Sequence, residues 1–487
     1  MNKLIKKYRN MSEPVKASIW YTVCNIINKG IALLSTPIFT RILTEEQYGQ
    51  FTIFQSWYSI IFIFTSLNLF LGGYQKGLLL FKDDKEAFTS SQLGLTTLIT
   101  ILYGVLYCVC PILWSSLLEL SPILMGAMFL ELLFMPALEF WATRERFDFK
   151  YKKYVVISIA MTILSLGSGI IAVMNTKYKV EARVYSDVFS KILFAGTLFI
   201  FLFIKGRKFY SKKYWKYALA FNIPLIPHYL SNYVLSQSDR IMIGKMVGND
   251  KAALYSVAYT ISTMMILIIN AINSSLTPVI YKKLEEFENG VVDSKFLEKQ
   301  IIAITLPICF IIAILCLLTM LFAPEVILIF AGKRYMEAIY VVPPVALSVF
   351  FIFLYSLFSN VEYYYQKTKL ISVATFVSAI LNLILNAFFI QYFGFCAAGY
   401  TTLVSYICLV LMHYIFYSMI IKTRRINRLF DIKKILLVSI CLLLIMVLVS
   451  MTYKYIMIRY VFILIIIIIM CVFNKNKILS IIYNMKR

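Results

Sequence analysis

The chain has 487 residues, of which 61% are hydrophobic and only 15% charged, with mean hydropathy +0.79 and formal net charge +24. Soluble chains run to about half apolar and about a quarter charged residues, so an aqueous globular domain of useful size is excluded. The nine cysteines form neither a zinc spacing nor a disulfide framework, and the two histidines, His228 and His413, fall on different predicted spans, so neither a metal site nor a cofactor is expected.

A bilayer-spanning helix needs about 20 mostly apolar residues, and the chain supplies about fourteen such runs. In order they cover 16–39, 51–72, 88–111, 121–142, 154–174, 184–204, 218–238, 253–275, 300–322, 340–361, 370–391, 396–421, 435–453 and 459–474. Residues 1–14 are basic and polar and lead straight into the first run. No short apolar core with a small-residue cleavage site precedes it, so the first span is expected to be retained. Span 7 contains Pro224 and Pro227, which cannot donate backbone hydrogen bonds and predict a kink or break. Residues 324–337 read as a short amphipathic surface segment.

With the N-terminus inside, 34 of the 48 Lys and Arg residues fall in inside segments and 10 in outside ones, with Lys16, Lys29, Lys191 and Arg459 inside spans. A bias of this kind marks the cytoplasmic side, so both termini are expected there. The positive charge is therefore topology and attraction to anionic inner-leaflet lipid, not a nucleic-acid footprint. The connecting segments are short, which leaves little room for the extramembrane domain a membrane glycosyltransferase or polymerase needs.

Polar residues follow helical spacing along single faces. They are Thr22, Asn25, Lys29 and Thr36 on span 1, and Gln55, Ser59 and Ser66 on span 2. Span 5 has Ser158, Thr162, Ser165 and Gly169; span 8 has Ser256, Thr263, Asn270 and Ser274. Span 10 has Tyr355, Ser359, Glu362 and Gln366; span 11 has Thr375, Ser378, Asn382 and Asn386. Small and hydroxylated residues on such faces serve either as helix–helix glue or as cavity lining. A central Lys or Asp costs about 2.5–3.5 kcal/mol on insertion scales and calls for a cavity or a partner. Lys29 and Glu131, both near mid-depth, either pair or line a cavity. Asp187 and Lys191, four apart on span 6, suit mutual neutralisation.

The two halves share a faint repeat. Arg41 ends span 1 in STPIFTRILTEEQYGQF, and Arg240 ends span 7 in SQSDRIMIGKMVGNDKAALY. A shift of six spans preserves orientation, as in transporters built from parallel repeats with a site between them.

Five stretches in order, RILTEEQYGQF (41–51), IPLIPHYLS (223–231), DRIMIG (239–244), AALYSVAY (252–259) and FGFCAAGYTTLVSY (393–406), resemble conserved stretches of the O-antigen and capsule flippases. These are the Wzx-type polysaccharide transporters of the multidrug/oligosaccharidyl-lipid/polysaccharide superfamily. The resemblance covers the whole chain. KVEARVYSD before span 6 departs from it, since a glycine-rich FG or YG turn is the family's pattern there.

The resemblance implies an all-α polytopic fold with two six-helix lobes, 1–204 and 218–421, around a central cavity, and two additional C-terminal spans, 435–474. It implies export of an undecaprenyl-pyrophosphate-linked oligosaccharide to the outer leaflet of the bacterial cytoplasmic (inner) membrane, coupled to an ion gradient. A polysaccharide polymerase and a chain-length regulator would be its partners.

A pyrophosphate headgroup needs cations on its path. Lys29, Arg41 and Arg240 suit that role, with Arg144 near the inner mouth. Asn25, Gln55, His228, Asn232, Asn270 and Ser359 suit contacts with sugar hydroxyls, and Glu131, Asp239 or Glu362 suit a coupling proton or sodium. The chain reads as a transporter, not an enzyme. The alternatives are a membrane polysaccharide polymerase, disfavoured by short loops and no catalytic cluster, and a multidrug exporter of the same superfamily, for which an acidic cavity and twelve spans are expected.

Overall fold

The computed structural model describes the backbone of residues 11–474 and the side chains of 11–465. Both basic tails, whose cytoplasmic side the charge bias predicts, and the Cys471 side chain lie outside the described residues. Among the described residues the chain is helical, with no strand. It forms two compact units that meet between Ala253 and Leu254.

The first unit contains α1 (Glu13–Ile42), α2 (Glu45–Ser66), α3 (Gly72–Leu80), α4 (Lys85–Val109), α5 (Pro111–Leu118), α6 (Pro122–Phe147), α7 (Lys152–Met174), α8 (Lys179–Gly206), α9 (Lys212–Asn222) and α10 (Ile226–Met246). Helix α11 (Asn249–Thr263) crosses the boundary. The second contains α12 (Met265–Glu288), α13 (Ser294–Leu321), α14 (Ala323–Phe330), α15 (Val342–Tyr364), α16 (Thr368–Phe393), α17 (Ala397–Thr423), α18 (Ile432–Thr452) and α19 (Ile456–Asn474).

Among the described residues, 11 helical stretches are long and apolar enough to cross a membrane. The three remaining expected spans correspond to α2, α10 and α19. Helix α10 carries His228, Asn232, Gln237, Asp239, Arg240 and Lys245, and α2 carries Gln50, Gln55, Ser56 and Ser59 beyond its acidic first turn, so neither is apolar enough to qualify alone. The apolar stretch described in α19 is Ile456–Ile465. Large apolar side chains such as Ile112, Leu444 and Met457 stand exposed. That surface would be a liability in water and suits contact with lipid tails. The protein is a polytopic α-helical membrane protein.

The local rules behind these helices are visible. The TEEQ of the first conserved-looking stretch is a capping box. Thr44 Oγ1 accepts from Gln47 N at 3.2 Å, and Thr44 N donates to Gln47 Oε1 at 3.1 Å. Glu45 and Glu46 then sit in the first turn of α2, where acidic residues suit the positive end of the helix dipole.

The proline pair acts as expected. Residues Ile223–Leu225 form a 3₁₀ turn between α9 and α10. A break that the sequence did not announce falls at Met264, between α11 and α12. It divides the span 8 stripe: Ser256 is buried, whereas Asn270 and Ser274 are exposed. The expected surface segment is α14 followed by a 3₁₀ helix, Lys333–Tyr340. Arg459 of α19 pins α14 by gripping both carboxylate oxygens of Glu325.

The first unit has two apolar cores. One gathers Tyr74, Phe88, Phe140, Ala195 and Tyr214 from α3, α4, α6, α8 and α9. The other gathers Phe54, Leu118, Met128, Leu132 and Val188 from α2, α5, α6 and α8. Between them, on α6 and α8, lie the charged residues described next.

Candidate functional site

Helix α8 carries Arg183, Asp187 and Lys191 at successive four-residue steps, so all three share one face. Lys191 Nζ lies 2.5 Å from Glu131 Oε1 of α6 and 2.8 Å from Asp187 Oδ2. Asp187 also accepts from Ser165 of α7 at 2.5 Å and from Gln55 of α2 at 3.4 Å. The Lys191 ammonium sits 5.5 Å from the centre of the Tyr58 ring. Glu131 is fully buried, and its Oε2 has no partner among the described residues. One lysine thus answers two carboxylates in a site drawn from four helices. The predicted pair of Asp187 with Lys191 forms. Glu131 finds Lys191, and not Lys29, as its cation.

Arg183 completes the charge balance of the cluster without a direct ion pair. Its guanidinium lies 4.2 Å from the ring centre of Phe39 and 4.7 Å from that of Phe51, a cation–π sandwich. Its Nε and Nη1 are buried without hydrogen-bond partners. Gly169 makes room for it, since a Cβ there would stand 3.1 Å from Arg183 Nη1. The stretch that departs from the family pattern therefore supplies an aromatic-caged arginine.

Helix α1 has two polar faces. Asn28 faces inward and bonds Ser158 at 2.6 Å and Thr162 at 3.1 Å on α7. Thr22, Asn25 and Lys29 lie exposed on another face. Arg41, at the end of α1, is also exposed. Arg240 of α10 is nearly buried. It donates to the Ser236 carbonyl and to Gln237 Oε1, both at 2.7 Å, and Gln237 Oε1 accepts from Ser56 of α2 at 3.3 Å.

Two glycines let α2 approach its neighbours closely, Gly49 at the start of α11 and Gly244 on α10. A Cβ on Gly49 would fall 1.8 Å from Asn249 O, and one on Gly244 would fall 2.3 Å from the Ile53 side chain.

In the second unit, Glu362 of α15 and His413 of α17 form a buried pair, Nδ1 to Oε1 at 2.7 Å. The span 11 stripe is glue. Asn382 bonds Thr402 at 3.4 Å and Asn386 at 3.2 Å, and Thr401 bonds Asn386, all buried between α16 and α17. Ser359 is buried, and its neighbour Ser356 exchanges hydrogen bonds of 3.1 and 3.2 Å with Asn273.

Residues 15–283, more than half of the chain, match the model of a family described as polysaccharide biosynthesis protein. The chain belongs to that family.

Two Haemophilus influenzae proteins are similar to this chain. One, an uncharacterized membrane protein, is 24% identical over 385 residues, which is 76% of this chain and 88% of the relative. The other, Lsg locus putative protein 1, is 23% identical over 383 residues, 75% and 88% of the two lengths. Among solved structures, the lipid II flippase MurJ in an inward closed conformation superposes with TM-score 0.66 at 16% identity. It covers 94% of this chain and 100% of its own. An inward-facing multidrug resistance MATE transporter of the MOP superfamily superposes with TM-score 0.60 at 13% identity, covering 81% of this chain and 95% of its own. The chain therefore shares the fold of these two transporters, in agreement with the architecture that the Wzx-type resemblance implies.

Within this family member, the residues singled out from sequence separate by environment. Gln55 and Glu131 join the Lys191 cluster. Asn25, Lys29 and Arg41 are exposed on α1. Arg144 is bound in a two-pronged ion pair to Glu86, which Lys205 also reaches at 2.8 Å, so its charge is already answered. His228 is half-buried and lies 3.4 Å from the exposed Asn232. Asp239 is fully buried and Asn270 exposed.

Arg183, Asn28 and His413 are the residues the sequence argument passed over. The four-residue ladder on span 6 was the readable signal for Arg183. Nothing local signalled His413, whose partner is 51 positions away.

Proposed function

We propose that this chain is a flippase. It translocates an undecaprenyl-pyrophosphate-linked oligosaccharide repeat unit from the cytoplasmic to the outer leaflet of the bacterial inner membrane, for O-antigen or capsule assembly. Lys29 carries the reading. It is a cation in the middle of a 30-residue helix, exposed with Thr22 and Asn25 on one face. An ionisable residue at that depth belongs on a polar path, and a cation there selects an anionic cargo. The family and the MOP fold support the same assignment.

In this mechanism Lys29 and Arg41 attract the pyrophosphate, and Arg240 receives it where Gln237 and Ser56 already order the guanidinium. Asn25 and Gln55 offer hydrogen bonds to sugar hydroxyls. The polyprenyl tail stays in lipid. An inside-negative potential favours outward movement of each negative charge by about 2.3 kcal/mol per ~100 mV. A polar stripe that ends in one exposed lysine suits this cargo better than the cationic drugs a multidrug exporter moves.

The test is leaflet-resolved accumulation of lipid-linked repeat units in a deletion strain. Units trapped on the cytoplasmic side, released by the intact gene, support translocation. Single units reaching the outer face unpolymerised would hand the reading to a polymerase. Replacing Lys29 with Ala is expected to abolish surface polysaccharide at normal protein levels, and unchanged surface polymer would remove Lys29 from the path.

A further inference from the structure

The described ion pairs of the chain share a pattern with one exception. Glu131 is answered by Lys191, Glu86 by Arg144 and Lys205, Glu298 by Arg428 and Glu325 by Arg459. Those partners are lysines and arginines, side-chain types that do not change charge near neutrality. Glu362 is answered by His413, the side-chain type that changes charge near neutrality.

The pair is sealed. Side-chain exposures are 0% for Glu362 and 1% for His413, and the ring of Tyr355 stacks on the imidazole with centres 5.5 Å apart. Glu362 Oε2 and His413 Nε2 are both buried with no hydrogen-bond partner among the described residues. The other titratable groups facing the pair are Tyr355 and Tyr363, both on α15. No charged side chain from α12, α13, α16 or α18 forms an ion pair with either residue among those described.

The charge arithmetic is simple. Holding one proton between them, Glu362 and His413 are neutral as a pair. Losing it leaves a buried negative charge, and gaining a second leaves a buried positive one. Either change is costly in this environment unless something else moves. The ligand is a proton and not a metal cation. The ring nitrogen already occupies one carboxylate oxygen, and no cluster of three or more His, Cys, Asp or Glu gathers among the described residues.

We propose that Glu362 and His413 form a proton-binding site inside the second unit, and that exchange of its proton couples transport to the proton gradient. The coupling half rests on the proposed flippase function; the proton site does not.

The site is tested on the intact purified protein in lipid nanodiscs by nitrogen NMR of its imidazoles. The chain has two histidines, so H413Q assigns the His413 signal. That signal is expected to change when the bulk pH is changed, through exchange of one proton by the pair. E362Q should displace that change, and added sodium should leave it unchanged. A His413 signal that does not respond to pH, or that follows sodium, overturns the site. Because no transport is required, a failure of the flippase reading leaves this result standing. Coupling is tested in cells by collapsing the proton gradient. Export by E362Q and H413Q should lose the response shown by the parent protein; an undiminished response in both variants overturns coupling.

Discussion

Replacing Lys191 with Ala is expected to destabilise the folded chain by about 3–5 kcal/mol. The lysine stands between Glu131, fully buried, and Asp187, nearly so. Its removal leaves two carboxylates facing each other without a cation, which is the costly way to break a buried ion pair. The loss should be read as reduced yield of folded protein and a lower unfolding temperature in detergent. Adding Glu131→Gln to that variant should recover part of the loss, because one uncompensated charge goes with it. A K191A protein as stable as its parent would mean that the lysine does not hold the two carboxylates together.

The second large effect is expected at Gly49. A Cβ at this position would sit 1.8 Å from the Asn249 carbonyl oxygen, which is backbone and cannot rotate away. Gly49→Val should therefore force α2 off the start of α11, with a cost of about 1–3 kcal/mol, the usual range for overpacking. Gly30 is the internal control, because a Cβ there meets nothing within 4 Å. Gly30→Ala should be neutral or slightly stabilising, since alanine is the better helix former. Equal stability of the two variants in thermal unfolding would contradict the close crossing.

The long apolar runs made the helices legible from sequence, and Pro224 marked the break before α10. The break at Met264 was not legible, because no proline or glycine stands there and the backbone simply changes course between two apolar helices. Periodicity placed polar residues on faces correctly but did not say what each face meets. The span 11 stripe, Thr375 to Asn386, turned out sealed against α17, whereas the equally regular stripe Thr22, Asn25 and Lys29 lies open. Partners were harder still. Glu131 and Lys191 are 60 positions apart, and Glu362 and His413 are 51 apart. Spacing along one helix carries no information about such pairs, and only Asp187 and Lys191, four apart on α8, announced themselves locally.

The polarity of α10 has a consequence for how the chain is made. A segment with Asn232, Gln237, Asp239 and Arg240 partitions poorly into lipid by itself. Its neighbour in the first unit is α2, and Ser56 and Gln237 meet across 181 positions. Entry of α10 into the bilayer is thus a docking reaction onto a helix synthesised long before, not an independent insertion. Until it arrives, the face of α2 that carries Ile53 and Ser56 lacks the partner that Gly244 and Gln237 of α10 supply. Biogenesis of this protein should then be most vulnerable to stalling just after α9 has left the ribosome.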